Sequence, residues 1–227
     1  MHFDGCALDY EQQLNRGLKI SGQGPEWFAR LRVELVRDEL RRANADVERI
    51  IEFGCGTGNN IPFLHQMCEN AQLVGVDISE QSLAVARRRH ADTNTRFATP
   101  QAIDESASVD LVFVNGVFHH IPPAEHGQWI AWLARVLKPG GLLAFFDNNP
   151  FSLPARLVMK LIPFDRDAVM VNPYRFTRLL SRSGFHRARP QFHFIFPRPL
   201  SFLRSLEQSV SSWPLGAQYS LFAERKA

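Results

Sequence analysis

Glu52-Phe53-Gly54-Cys55-Gly56-Thr57-Gly58 is the stretch whose residue types and spacing can do chemistry. It follows an apolar run and precedes a helical pattern, so its glycines let backbone N–H groups approach a ligand closely beside the positive end of a helix. A dinucleotide loop requires Gly-x-Gly-x-x-Gly. Here Gly54, Gly56 and Gly58 fall at every second position, and Asn59 stands where the third glycine would be. Glu52, two residues before the first glycine, repels a pyrophosphate and attracts a cationic ligand. Asp77, 19 residues after Gly58, closes a second apolar run, where a carboxylate accepts two hydrogen bonds from a ribose diol. His119-His120 follows a further run. An unperturbed imidazole pKa of about 6.5 suits removal of a proton from a hydroxyl or amine.

The elements that must hold these groups alternate along the chain. Short apolar runs at 49–53, 72–77, 95–98, 110–115 and 142–147 read as strands, the weakest being 95–98. Helical patterns occupy 25–45, opened by Pro25, then 60–69, 80–90 with Ser79 as N-cap, and 122–137. Lys138-Pro139-Gly140-Gly141 stops the last of these. Strands alternating with helices predict right-handed crossovers and a parallel sheet. After Asp147 the rhythm changes. Residues 148–172 carry Pro150, Pro154 and Pro163 around an apolar helical fragment and read as a substrate-side insertion before a helix at 173–183. Strands at 190–196 and 217–223 bring the count to seven. Alternation in the first places Phe192, Phe194 and Phe196 on one face.

Composition narrows the class. The 227 residues are 45% hydrophobic and 22% charged, ordinary for one globular domain spanning 1–227. Lys plus Arg exceeds Asp plus Glu by only three, 26 against 23, too small a surplus to imply nucleic acid. Three cysteines without paired spacing give neither a disulfide framework nor a zinc signature, so no metal site is expected. No signal-like or membrane-spanning run occurs in the sequence, and the expected location is cytoplasmic. Phe is abundant at 18, which predicts a large dry interior.

Taken in order, the glycine loop, the acid at 77, residues 110–120 and Leu137-Lys138-Pro139-Gly140-Gly141 resemble the class I S-adenosylmethionine-dependent methyltransferases over 52–147. The resemblance implies an α/β, Rossmann-like three-layer sandwich whose seven-stranded sheet is mostly parallel with an antiparallel last strand. It also implies S-adenosylmethionine as cofactor. Glu52 with the loop Gly54, Cys55, Gly56, Gly58 and Asn59 would surround the methionine part, Asp77 the ribose and Ile78 the adenine. The family often carries an acid after the third strand to read the adenine amine; Thr99 or Gln101 stands in for it here. A second resemblance, to a small-molecule methyltransferase subgroup, rests on Ser21-Gly22, residues 27–32, Asn149-Pro150 and residues 163–168.

Further site expectations come from position. Tyr10, Ser21 and Arg32 fit a helical lid over 1–45, with Arg32 pairing the cofactor's carboxylate. Cys55 fills space among glycines. Asn115 and Gly116 end the fourth strand at the sheet's carboxyl edge, where His120, ahead of His119, serves as base. Asn148-Asn149 lies at the mouth after the fifth strand. The expected partner is a small-molecule acceptor, with an RNA or protein substrate, or a non-catalytic cofactor-binding homologue, as alternatives.

Overall fold

The computed structural model describes residues 23–90, 92, 94–104, 106–161, 168–196 and 198–227. Strands β1 (Arg49–Phe53), β2 (Gln72–Val76), β3 (Thr95–Ala98), β4 (Val109–Asn115) and β5 (Leu137–Asn148) pair in parallel in the order β3-β2-β1-β4-β5. Helix α1 (Pro25–Arg42) precedes β1, while α2 (Ile61–Met67), α3 (Glu80–His90) and α4 (His126–Val136) follow β1, β2 and β4, and only a 3₁₀ turn at Pro100–Ala102 lies between β3 and β4. α5 (Leu153–Leu161) and α6 (Pro173–Arg182) follow, then β6 (Phe185–His186), β7 (Pro190–His193), α7 (Glu207–Val210) and β8 (Gln218–Arg225). β8 runs antiparallel to β5, β6 and β7, and its insertion beside β5 closes the order as β5-β8-β6. The sheet therefore has eight strands. The one the sequence did not announce is β6, two residues long and too short to show a period.

Alternation along β4 explains why the sheet is covered on both faces. Leu111 and Phe113 point into one apolar cluster with Ile50 and Leu73; Val112 and Val114 point into the other with Ile51 and Val76. The second cluster holds much of the phenylalanine. Phe118, Phe145 and Phe176 meet within 5.5 Å of one another, with Phe145 and Phe176 stacked at 4.4 Å. Asp110 locks the start of β4 to β1 by accepting hydrogen bonds from the backbone N–H groups of Glu48 and Arg49 at 2.9 and 2.8 Å, and it pairs with Lys138.

Two expectations change. β5 begins at Leu137, not 142: Val109 pairs Leu137 and Leu111 pairs Leu142, so residues 138–141 bulge outward between the two pairings, with Gly140 at φ +77°. The three-phenylalanine face also breaks. β7 ends at His193 because Phe194 takes φ +61°, where period-two alternation stops. Phe192 stays in the core, while Phe194 packs edge-on against Phe28 of α1 at 4.9 Å. Gly216 permits this, since a Cβ there would lie 2.1 Å from the His193 carbonyl oxygen. The segment at 198–206, unassigned from sequence, is two short 3₁₀ turns parted by a kink at Leu200.

Asn172 caps α6, its Oδ1 accepting from the N–H groups of Tyr174 and Arg175 at 3.1 Å each. Asn172→Ala is expected to lower stability by about 1 kcal/mol, a melting-temperature drop of about 2–4 °C by calorimetry.

Candidate active site

The strand order reverses between β1 and β4: from β1 the chain winds outward through β2 and β3, then returns to β4. In open α/β sheets that reversal leaves a crevice at the carboxyl ends of the strands. A cavity of about 1120 Å³ opens there, lined by Gly54, Cys55, Gly56, Thr57, Asn59 and Asn60 after β1, Asp77 and Ile78 after β2, and Asn115 and Gly116 at the end of β4. Arg30 and Arg32 of α1, His120 and Trp129 complete other parts of its wall.

The loop after β1 is held from behind. Gly54 and Cys55 donate their N–H groups to the Val76 carbonyl at 2.7 and 3.0 Å, so the loop is tied to β2. Gly54 adopts φ +74°, and a Cβ there would sit 2.2 Å from a Val117 methyl. Gly56 has φ +52° and meets no atom within 4 Å of its Cβ position, which leaves open cavity against bare backbone. Asp77 links loop and helix: Oδ2 accepts from Gly56 N–H at 2.8 Å and Oδ1 from Ser79 N–H at 2.9 Å. Ser79 in turn caps α3, its Oγ accepting from Ser82 N–H at 3.2 Å. Burial raises the Asp77 carboxyl above its usual range against these backbone hydrogen bonds. Each carboxylate oxygen has a second lone pair to offer a diol.

Glu52 sits beneath the loop, 2% exposed, and off the cavity wall itself. Its Oε1 accepts from Asn60 Nδ2 at 2.6 Å, and Asn60 does line the cavity. Its Oε2 is buried without a hydrogen-bond partner. Burial drives the carboxyl from 4.5 up to about 8, opposed by the Asn60 hydrogen bond and the charge of Arg32. A folded-state value above the unfolded one means the native state holds an extra proton between pH 4.5 and about 8. Stability is therefore expected to fall as pH rises through that window, by at most about 1.4 kcal/mol per unit from this group. Glu52→Gln should flatten that slope in denaturant titrations run across it.

The two adjacent histidines part company. His119 is 4% exposed and off the cavity wall, its Nδ1 2.6 Å from Oδ1 of the fully buried Asp147. His120 faces the cavity, its ring centroid 4.2 Å from that of His119. A short 3₁₀ turn, Phe118–His120, directs the two rings, and burial of one leaves the other exposed to the crevice.

Other expected residues divide in the same way. Gly54, Cys55, Gly56, Asn59, Asp77, Ile78, Asn115, Gly116 and Arg32 line the cavity, while Gly58 and Thr99 do not. Gly58 turns its φ +86° backbone toward His90, and Pro100 takes the wall position beside Thr99. Cys55 is 5% exposed with its thiol pushed well up by burial and the nearby carboxyls of Glu52 and Asp77, the state of a space-filling sulfur. Arg32 is 7% exposed and donates to Gln218 Oε1 of β8 at 3.0 Å. Tyr10 and Ser21 lie outside the described residues. Asn149 does not stand at the mouth as expected: fully buried, it donates to the carbonyls of Pro214 and Gly216 at 3.0 and 2.7 Å and lies off this cavity's wall. The described residues of 148–172 likewise stay off the wall and touch the site from behind: Val169 N–H donates to the His119 carbonyl at 2.8 Å, and Asn148 N–H to Asp147 Oδ1 at 2.7 Å. Sequence reasoning missed Asn60 and Trp129, since an asparagine after a glycine loop and a tryptophan on an amphipathic helix carry no signal of their own. Among the described residues no group of three His, Cys, Asp or Glu side chains is arranged for a metal ion, and no helix is long and apolar enough to cross a membrane.

The model of the methyltransferase domain family matches residues 50–141, the segment carrying the loop, Asp77 and the histidines. That segment carries a methyltransferase domain, and the fold around it is the one shared by S-adenosylmethionine-dependent methyltransferases. Among curated methyltransferases it is similar to trans-aconitate 2-methyltransferase of Azoarcus sp. (strain BH72), 33% identical over 137 residues, 60% of this chain and 53% of that one. The enzyme of the same name from Escherichia coli O1:K1 / APEC is 28% identical over 122 residues, 54% and 48% of the two chains. The chain thus spans about half the length of the curated relatives it matches. Solved methyltransferase structures share the fold. One from Thermotoga maritima, described as a possible histamine N-methyltransferase, gives a TM-score of 0.67 at 17% identity over 99% of this chain and 98% of that one. Phosphoethanolamine N-methyltransferase 2 of Haemonchus contortus, solved with S-adenosyl-L-methionine, gives 0.63 at 18% identity over 99% and 57%.

The methyltransferase cofactor is a cation with hydrogen-bond donors, and the residues present fit it. The Asn115 Oδ1 on the wall and the Glu52 Oε2 below it are buried acceptors with no hydrogen-bond partner. Ile78, 57% exposed beside Asp77, offers an apolar platform for a flat ring.

Proposed function

We propose that this protein transfers the methyl group of S-adenosylmethionine to an oxygen or nitrogen of a small-molecule acceptor. The observation that carries the reading is the cavity at the reversal of strand order. At about 1120 Å³ it exceeds the range of about 300–1,000 Å³ usual for one ligand, leaving room for cofactor and acceptor together. The sulfonium, when bound, supplies an already activated methyl donor, so alignment accounts for much of the rate.

The chain's own residues then have separable tasks. Asp77 and the Gly56 backbone hold the ribose end, Ile78 the adenine face, and Asn115 with the Glu52–Asn60 pair the cationic end. Arg32, which lines the same cavity close enough for its charge to act on Glu52, suits a carboxylate. His120 takes the proton from a hydroxyl or amine acceptor, and His119, fixed by Asp147, holds the imidazole beside it in place. Calorimetric titration with S-adenosylmethionine, followed by mass spectrometry over an acceptor panel, tests the reading. Cofactor binding without turnover on any acceptor would favour a non-catalytic homologue. Turnover confined to RNA or protein, falling steeply with salt, would favour the macromolecular alternative.

A second reading, a carboxylate acceptor, is supported by the names of the trans-aconitate relatives and by Arg30 and Arg32 on the wall. A carboxylate is already deprotonated at neutral pH and needs no base. His120 would then only position it.

A further inference from the structure

We propose that the face built around α5 and the 213–215 loop docks on an anionic lipid surface. α5 has apolar residues on opposite sides. Ala155 and Met159, one turn apart, are buried against the domain, whereas Leu153 and Leu157, also one turn apart, are 73% and 56% exposed. Asn149 clamps the neighbouring loop to the entry of this helix through the Pro214 and Gly216 carbonyls, which brings Trp213 and Leu215, 60% and 56% exposed, next to it. Phe151, between Asn149 and α5, meets Tyr174 of α6 at 6.1 Å, each 45% exposed. Six large apolar or aromatic side chains thus converge on one clamp and face solvent, more than scattered surface hydrophobes account for.

Charge identifies the occupant. Residues 149–217 carry ten Lys or Arg against three Asp or Glu, although the whole chain is nearly balanced at 26 against 23. Arg156 and Lys160 on α5, and Arg175 and Arg178 on α6, are exposed beside the apolar residues. Glu207 is the one acid among the described residues of this stretch, and its Oε1 is engaged by Phe196 N–H at 3.0 Å. Leucines and aromatic rings rimmed by lysine and arginine are the composition of a surface lying at the headgroup level of an anionic bilayer. A purely electrostatic polyanion site would have no use for Leu153, Leu157 and Trp213. A neutral apolar partner would have none for the basic surplus.

The test uses the full chain and co-sedimentation with vesicles of phosphatidylcholine alone or of equal parts phosphatidylcholine and phosphatidylglycerol. Binding is expected to be at least about tenfold tighter to the anionic vesicles and to weaken with added salt. Leu153→Ser with Leu157→Ser is expected to lower that affinity at least about tenfold, as is Arg156→Glu with Lys160→Glu. Circular dichroism and melting temperature should stay unchanged, because all four side chains are exposed. Equal affinity for both vesicle types, no vesicle binding, or parental binding by either double variant would overturn the proposal. So would vesicle indifference in a parent that light scattering shows as a dimer and the leucine variant as a monomer, which would assign the face to a second copy of the chain.

Discussion

His120→Ala is expected to lower kcat by about 10²–10⁴-fold on a hydroxyl or amine acceptor while leaving the Kd for S-adenosylmethionine within about twofold. The size follows from what the residue does in the proposed reaction, since an uncharged hydroxyl or amine must lose its proton to some group as the methyl arrives. Of the two adjacent histidines, His120 is the one whose ring reaches the cavity. His119 is committed to Asp147 at 2.6 Å in the interior. His120→Gln keeps bulk and polarity but has no basic ring nitrogen. It is expected to share the kcat loss, whereas an effect of shape alone would leave kcat near that of the parent. Steady-state kinetics, with calorimetry for the cofactor, provide the check. A kcat within about tenfold of the parent in both variants would remove the base and favour the carboxylate reading.

Asp77→Ala is expected to weaken S-adenosylmethionine binding by about 1–3 kcal/mol, roughly five- to 150-fold in Kd. Two effects act in the same direction. The carboxylate offers acceptors to the ribose hydroxyls, and it also braces the loop through Gly56 N–H and the start of α3 through Ser79 N–H. Asp77→Asn separates them. One amide oxygen can still accept from a single backbone N–H, but the NH₂ group faces the other as donor against donor. Affinity for the asparagine variant is expected between those of the parent and the alanine variant. Unchanged affinity for alanine on titration would refute the ribose assignment.

The sequence by itself determined the local elements and the chemical character of the loop. α3 at Glu80–His90 and β3 at Thr95–Ala98 have the bounds that periodicity, the Ser79 cap and the turn residues prescribe, because those signals act over a few residues. The spacing of Gly54, Gly56 and Gly58 behind Glu52, with Asp77 following, was legible for the same reason: φ above zero and close backbone approach are demands on single residues.

Only the tertiary structure decided which groups meet. The reversal of strand order that opens the cavity is set by the pairing of β1 with both β2 and β4, contacts between segments some 20 and 60 residues apart that no local window records. The separation of His119 from His120 depends on Asp147, 28 residues away, capturing one ring in the interior. Asn149, chemically as suited to a substrate as Asn115, is instead spent on two carbonyls of a loop 65 and 67 residues distant. Phe194 leaves its strand because Gly216 lets two backbones touch. Residue type fixes what a side chain can do; burial and long-range hydrogen bonds fix whether it is available to do it.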